Sequence, residues 1–265
     1  DGGGEMDGVL AGAAGDFGRD LVPLLAQSHE VRATDLVEGT PPCEFLQADL
    51  QDEEALEELV TGRDGVIHLA ALLPTREPRT REWFDVNTTA TALLMGAAAS
   101  AGVGRFIYVS TVWATGHGSE ESVRPIDEDA PWQPICPYGL TKLMGELVGD
   151  YFARTTEMQV TVLRMCGYLR CPQIAPDGYV DWARPEWPEL VLYLTRPGQK
   201  IFDPLDLLDI FEAALRLNGD SFSRYVVGQQ WPFQAEDAKL AATEPEKAWA
   251  KYYPVAGDLF RSLGI

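Results

Sequence analysis

The chain has 265 residues, 46% of them hydrophobic, enough for one large core or one core with a small appendage. Its 21 basic and 41 acidic residues give a formal charge of −20, which argues against nucleic acid as a partner, because phosphate backbones attract the opposite sign. No apolar run approaches the ~18–20 residues that cross a membrane, and the start, Asp1-Gly2-Gly3-Gly4-Glu5, lacks the basic and apolar regions of a signal peptide.

Met6 to Ala11 is a short apolar run suited to a buried strand. Gly12-Ala13-Ala14-Gly15-Asp16-Phe17-Gly18 follows it. In that pattern Gly12 opens a tight turn, Gly15 admits a phosphate close to the backbone, and Gly18 lets the next helix pack against the strand. Phe17, Leu21, Leu24 and Leu25 have helical spacing, so the unpaired N–H groups of a helix start face the turn and suit a dinucleotide pyrophosphate. Pro23 lies beyond the first turn and is expected to kink this helix or remove one bond. Glu30 to Thr34 reads as the second strand, ended by Asp35, 17 residues past Gly18. An acid about 20 residues on accepts hydrogen bonds from the adenosine ribose and repels a 2′-phosphate. No Arg or Lys follows Asp35 directly, so NAD is expected over NADP.

Cys43 to Gln47 reads as a strand, Asp52 to Thr61 as a helix, and Gly65 to Leu69 as the fourth strand. The six acids between Asp49 and Glu58 read mostly as a solvated helix face. An alanine-rich helix is expected over Thr80 to Ala101, a fifth strand over Arg105 to Ser110, a helix over Tyr138 to Arg154, and a sixth strand over Gln159 to Arg164. This alternation predicts an α/β fold: a doubly wound parallel sheet of the Rossmann type, with ligands at the carboxyl ends of the strands. Gly12, Asp35, Asp49, Ala70, Ser110 and Arg164 fall at those ends.

After Arg164 the pattern loosens: residues 165–203 hold five prolines and two tryptophans. A helix over Asp206 to Leu217, a strand over Arg224 to Val227 and two short helices in the tail complete the chain. The expected division is a dinucleotide-binding domain over 1–165 and a small substrate lobe over 166–265, interleaved with the last Rossmann elements. Cys43, Cys136, Cys166 and Cys171 have no zinc-type pairing, and the three histidines add none, so no metal is expected. They read as free thiols of a cytoplasmic protein.

The chemistry lies in Tyr138-Gly139-Leu140-Thr141-Lys142. Pro137 favours a helix start, and Tyr138 and Lys142 then stand one turn apart on one face. A phenol is a poor base at neutral pH, but an ammonium beside it favours its ionised form. Tyr138 then exchanges a proton with a substrate alcohol or carbonyl as hydride moves. Ser110 and Thr111 supply hydroxyls to orient the substrate oxygen.

Together these segments resemble the extended short-chain dehydrogenase/reductase family, which includes nucleotide-sugar epimerases and dehydratases and the uronate dehydrogenases. The matching segments are Gly12-x-x-Gly15-x-x-Gly18, Asp49-Leu50, His68-Leu69-Ala70-Ala71, Val86-Asn87, Phe106 to Thr111, Tyr138-Gly139-x-x-Lys142 and, more loosely, Leu205-Asp206-Leu207. The resemblance implies a catalytic set of Thr111, Tyr138 and Lys142. It also implies a cofactor site that adds Ala14, Asp16, Phe17, Leu36, Leu69, Ala71, Asn87 and Val109 to the residues above. Ser110, Thr111, Trp113 and Arg164 are the expected substrate contacts, Trp113 either narrowing the pocket or packing its wall. Arg164, Arg170 and Arg184 each either meet a substrate carboxylate or form a structural ion pair.

Three functions follow: an NAD-dependent oxidoreductase on a sugar or sugar acid, an epimerase or dehydratase that recycles its NAD, and a non-catalytic dinucleotide sensor. The sensor is expected to have lost Tyr138 or Lys142, and both are present. By analogy with the family a homodimer is expected, through Thr80 to Ala101 and Tyr138 to Arg154.

Overall fold

Val9, Leu10 and Ala11 are almost wholly buried. A strand apolar on both faces needs cover on both, which is the condition of a parallel sheet between helix layers. The computed structural model builds that sheet; it describes residues 5–74, 79–116, 127–168, 201–202, 204–228 and 237–252. Strands β1 (Asp7–Ala11), β2 (Glu30–Asp35), β3 (Glu44–Gln47), β4 (Gly65–His68), β5 (Arg105–Thr111), β6 (Gln159–Met165) and β9 (Phe222–Val227) form a seven-stranded sheet in the order β3-β2-β1-β4-β5-β6-β9. Every pairing is parallel, with Val9 beside Arg32 on one side and Val66 on the other. The expected Rossmann topology is therefore present. Chain order reverses between β1 and β4, so the carboxyl ends of these two strands flank the crevice where such sheets bind ligands.

Alternation along the strands divides the core. Val9, Ala11, Val66, Phe106, Tyr108, Val160 and Val162 pack with Leu56 and Leu59 of α2 (Glu53–Val60), Leu94, Met95 and Ala98 of α4 (Ala90–Ser100), and Ala153 of α5 (Pro137–Thr155). Helices α1 (Asp16–Leu25) and α6 (Pro204–Arg216) pack together and bury Leu21, Val22, Leu25, Leu207, Phe211 and Ala214. Local signals set the helix starts. Asp52 accepts hydrogen bonds from the Glu54 and Ala55 N–H groups as the N-cap of α2. Pro137 occupies the first turn of α5, where a missing N–H leaves no gap. Pro23 is tolerated within α1 because it faces solvent near the helix end.

The helix expected over Thr80 to Ala101 is not uniform. α3 (Thr80–Phe84) passes through a π-helical turn (Asp85–Thr89) into α4. A π turn adds a residue and re-aims side chains, and here it turns Asn87 inward.

The chain divides into two compact units. The first comprises Asp1–Gly116, Asp127–Met165 and Pro204–Val227 and contains the whole seven-stranded sheet. The second comprises His117–Ile126, Cys166–Asp203 and Gly228–Ile265. Its described parts are the paired strands β7 (Gly167–Tyr168) and β8 (Ile201–Phe202) and the helices α7 (Ala238–Thr243) and α8 (Pro245–Tyr252). Asp237 links these two helices through Lys251 and Tyr252. Arg170, Cys171 and Arg184 lie outside the described residues. No described helix is long and apolar enough to cross a membrane.

Candidate active site

The turn after β1 is held from both sides. The Gly12 and Ala13 N–H groups donate to the Thr34 carbonyl at 2.9 and 3.1 Å. Gly12 has φ of 99°, and a Cβ on it would stand 2.5 Å from the Ala70 nitrogen. Only glycine combines that conformation with that approach. The Leu69 and Ala70 N–H groups donate to the Ala11 carbonyl at 2.8 and 3.0 Å, folding the segment after β4 across the same crevice. A Cβ on Gly18 would lie 2.2 Å from the Gly12 carbonyl oxygen, so α1 starts directly against the turn.

Gly15 is the N-cap of α1, is exposed, and offers no side chain to cap it. An uncapped helix start of this kind is an anion site, and it fits a pyrophosphate. Asp35 closes the other end of the cradle. One carboxylate oxygen accepts from the Ala14 N–H at 2.8 Å and the other from the Val37 N–H at 3.2 Å. Asp16 and the 64%-exposed Leu36 are at the surface, and Phe17 and Ala71 are half-buried. Asp49 is exposed and accepts from the Gln51 N–H at 2.9 Å, while Leu50 packs partly on the core and Val109 is buried in β5.

Asn87 departs from expectation. Its side-chain oxygen accepts from the Leu72 N–H at 2.7 Å, and its amide donates to the Leu72 carbonyl and the Thr141 hydroxyl, both at 3.2 Å. The fully buried amide is thereby occupied. Asn87 ties the segment after β4 to α5.

The structure sets Thr111 beside Tyr138, and Lys142 lies one helical turn further along α5. Thr111 ends β5, its hydroxyl accepts from the Trp113 N–H at 3.3 Å, and it hydrogen-bonds the Tyr138 phenol. The phenol ring stands between two indoles, Trp83 with centroids 6.1 Å apart and Trp113 at 6.2 Å and nearly perpendicular. Trp113 therefore packs against the Tyr138 ring. Trp83 escaped the sequence reading, because only the π turn after α3 shows which face of the helix meets α5.

Burial pushes the Tyr138 phenol up to about 12, opposed by the Thr111 hydroxyl. Burial also pushes Lys142 down to about 7, opposed by the Glu146 carboxylate. The Lys142 ammonium lies 4.2 Å from the centre of the Tyr108 ring. His68 is fully buried, and its Nε2 is 2.8 Å from the Thr91 hydroxyl. That hydroxyl donates to the Asn87 carbonyl at 2.9 Å, so Nε2 carries the proton of a neutral imidazole. Burial, with Lys142 nearby, holds His68 down to about 3.

Two expected substrate contacts are corrected. Ser110 shares with Tyr108 the face of β5 that packs on α5, and its hydroxyl donates to Glu146 at 2.6 Å. Arg164 has no exposed surface; its Nε and Nη2 reach the Glu146 carboxylate at 3.0 and 2.9 Å. Both side chains are buried and taken up by Glu146. Glu146 itself was not singled out from sequence, although it continues the Tyr138, Lys142 stripe by one further turn. Among the described residues no group of His, Cys, Asp and Glu is arranged to hold a metal ion, and Cys43 and Cys136 are free thiols.

Solved structures share this architecture. A short-chain dehydrogenase/reductase superfamily protein from Agrobacterium tumefaciens with bound NAD superposes with a TM-score of 0.70 at 24% identity, covering 86% of this chain and 79% of that one. A uronate dehydrogenase from the same organism gives 0.68 at 20% identity, covering 92% and 87%. Among curated proteins, an L-arabinose 1-dehydrogenase (NAD(P)(+)) from Haloferax volcanii is 29% identical over 63% of this chain and 68% of its own length. A UDP-glucose 4-epimerase from Streptomyces lividans is 34% identical over 54% of this chain, which spans only 43% of that relative. Over residues 9–168, from β1 through the glycine turn and the Tyr138–Lys142 helix to β7, the chain matches the model of the NAD dependent epimerase/dehydratase family, and it belongs to that family.

Proposed function

We propose that the chain is an NAD-dependent oxidoreductase that transfers hydride at a hydroxyl or carbonyl carbon of a sugar or sugar-acid-like substrate. The observation that carries this reading is the Tyr138 phenol, hydrogen-bonded to Thr111 on one side and set one helical turn from Lys142. The glycine turn, the start of α1 and Asp35 would hold the dinucleotide; bound there, its nicotinamide accepts or returns the hydride. Thr111 orients the substrate oxygen and Tyr138 takes or gives its proton. Lys142 favours the phenolate and hydrogen-bonds the neighbouring ribose. The similarity to the Streptomyces lividans epimerase favours a second reading, in which the hydride returns to the same substrate. Absorbance of reduced nicotinamide, followed across aldoses, uronates and nucleotide sugars, separates the two: net accumulation supports the dehydrogenase, and conversion without accumulation supports the epimerase.

The Asp35 carboxylate explains a preference for NAD over NADP, since it places a negative charge at the end of β2 beside the loop. Asp35→Ala is expected to improve relative NADP use by about tenfold or more, the scale of one removed charge repulsion. Unchanged selectivity in competitive kinetics would take Asp35 out of the ribose site.

The same reading makes the protein a cytoplasmic homodimer. The outer face of α4 presents Leu93, Gly96 and Ala97, and α5 exposes Leu140, Leu147 and Tyr151. Leu147→Glu is expected to halve the mass measured by light scattering after gel filtration; a monomeric parent protein would sink the proposal.

A further inference from the structure

Beneath the active-site face lies a charged cluster that the proton-transfer reading does not use. Glu146 is fully buried on α5, one turn beyond Lys142. Its carboxylate receives the Ser110 hydroxyl at 2.6 Å from β5 and Arg164 from β6 through Nε at 3.0 Å and Nη2 at 2.9 Å. The Arg224 Nε, from β9, lies 2.9 Å from the same carboxylate, as an ion pair outside hydrogen-bond geometry. Two guanidinium groups therefore share one carboxylate.

The groups around Lys142 make that imbalance consequential. On its own helix it is flanked by Tyr138 and Glu146. β5 contributes Tyr108, whose hydroxyl donates to the Lys142 carbonyl at 3.3 Å. β4 contributes His68, fixed in the neutral form by burial and its bond to Thr91. α4 and the 3₁₀ turn after β5 carry no ionisable side chain. On the π turn, Asp85 pairs with the exposed Arg81 at 3.0 Å. Among the described residues, Glu146 is thus the one buried carboxylate that offsets the Lys142 charge, and Arg164 and Arg224 weaken it.

We infer that Glu146 is a positioning residue that keeps Lys142 protonated, and that Arg224 limits this effect, so the cluster sets the pH above which the Tyr138–Lys142 pair fails. The inference rests on the proposed role of Lys142 beside Tyr138. The direction of the Lys142 shift agrees with it: burial lowers the ammonium and the Glu146 charge opposes that lowering.

The chain has only five lysines, so labelling with [ε-¹³C]lysine gives few signals, and Lys142→Met identifies the one that matters. Its titration is followed in the cofactor-free protein, independently of turnover. Glu146→Gln is expected to lower the Lys142 midpoint by about one pH unit, and Arg224→Met to raise it by about half a unit or more, the scale of one charge removed at partly buried separation. A residue that only supports the fold would not move the midpoint in opposite directions. Midpoints that stay put, or move the same way in both variants, overturn the inference. Should Glu146→Gln fail to fold, Arg224→Met decides alone: a raised midpoint supports the inference, and an unchanged or lowered one overturns it. Loss of the oxidoreductase reading would show instead in the Tyr138 variant and leave these titrations as they are.

Discussion

Tyr138→Phe is expected to lower kcat by about 10³-fold, within the range of one lost general acid–base group, while NAD affinity stays within about twofold. The substitution is narrow. The ring keeps its contacts with Trp83 and Trp113, and only the hydroxyl that bonds Thr111 is removed. The backbone start of α5 is unchanged, because Pro137 and the Cys136 cap precede the ring. The glycine turn and Asp35 are built from β1, β2 and α1, so dinucleotide binding has its own supports. Loss of kcat and kcat/KM together would mark an interaction made only in the transition state. Calorimetric titration with NAD and steady-state kinetics, run on the same preparation, make the comparison. A Phe variant retaining a tenth of the parent kcat would remove the phenol from the proton path and leave Thr111 or water to carry it.

The pH profile sharpens this expectation. Burial, only partly opposed by Thr111 and Glu146, pushes the phenol up to about 12 and the ammonium down to about 7, against the forms that the proposed reaction uses. In the proposed mechanism alcohol oxidation uses a charged Lys142 and an ionised Tyr138. Each form stabilises the other, since a cation favours a phenolate and a phenolate favours an ammonium.

The fold was largely legible because its signals are local and repeated. Apolar runs ended by Gly12, Asp35 and His68 locate strands, and spacing such as Leu21, Leu24, Leu25 locates helices; these periodicities survive in any compact arrangement. The proposed Tyr138–Lys142 pair was legible for the same reason, since only a helix is needed to set the two residues one turn apart. What escaped depends on the third dimension. Nothing local announces the π turn at Asp85–Thr89, because its cause is the docking of Asn87 against Leu72 and Thr141, distant in sequence. The choice between Ser110 and Thr111 required knowing which residue of α5 each hydroxyl meets, Glu146 or Tyr138. Arg164 was ambiguous because a buried arginine and a ligand-binding arginine look alike until the partner carboxylate is known.

That partner makes Arg164 the position where the largest loss of stability is expected. Arg164→Leu fills similar space with an apolar side chain, yet it leaves Glu146 buried with Ser110 and the poorly aligned Arg224 as its remaining partners. Breaking a buried ion pair from one side typically costs about 3–5 kcal/mol, because the uncompensated charge remains. Against a total stability of about 5–15 kcal/mol for an ordinary domain, that is enough to unfold a large share of the molecules on mild heating. Urea denaturation followed by far-ultraviolet circular dichroism reads the loss as a lower midpoint. Adding Glu146→Leu and Arg224→Met to the same chain removes all three charges and is expected to recover most of the stability, since an apolar core tolerates their replacement. The triple variant would nevertheless lack the carboxylate beside Lys142, so recovered folding without recovered turnover would separate the structural role of the pair from its electrostatic one. A stable Arg164→Leu protein with a raised KM confined to carboxylate-bearing substrates would return this arginine to the substrate pocket.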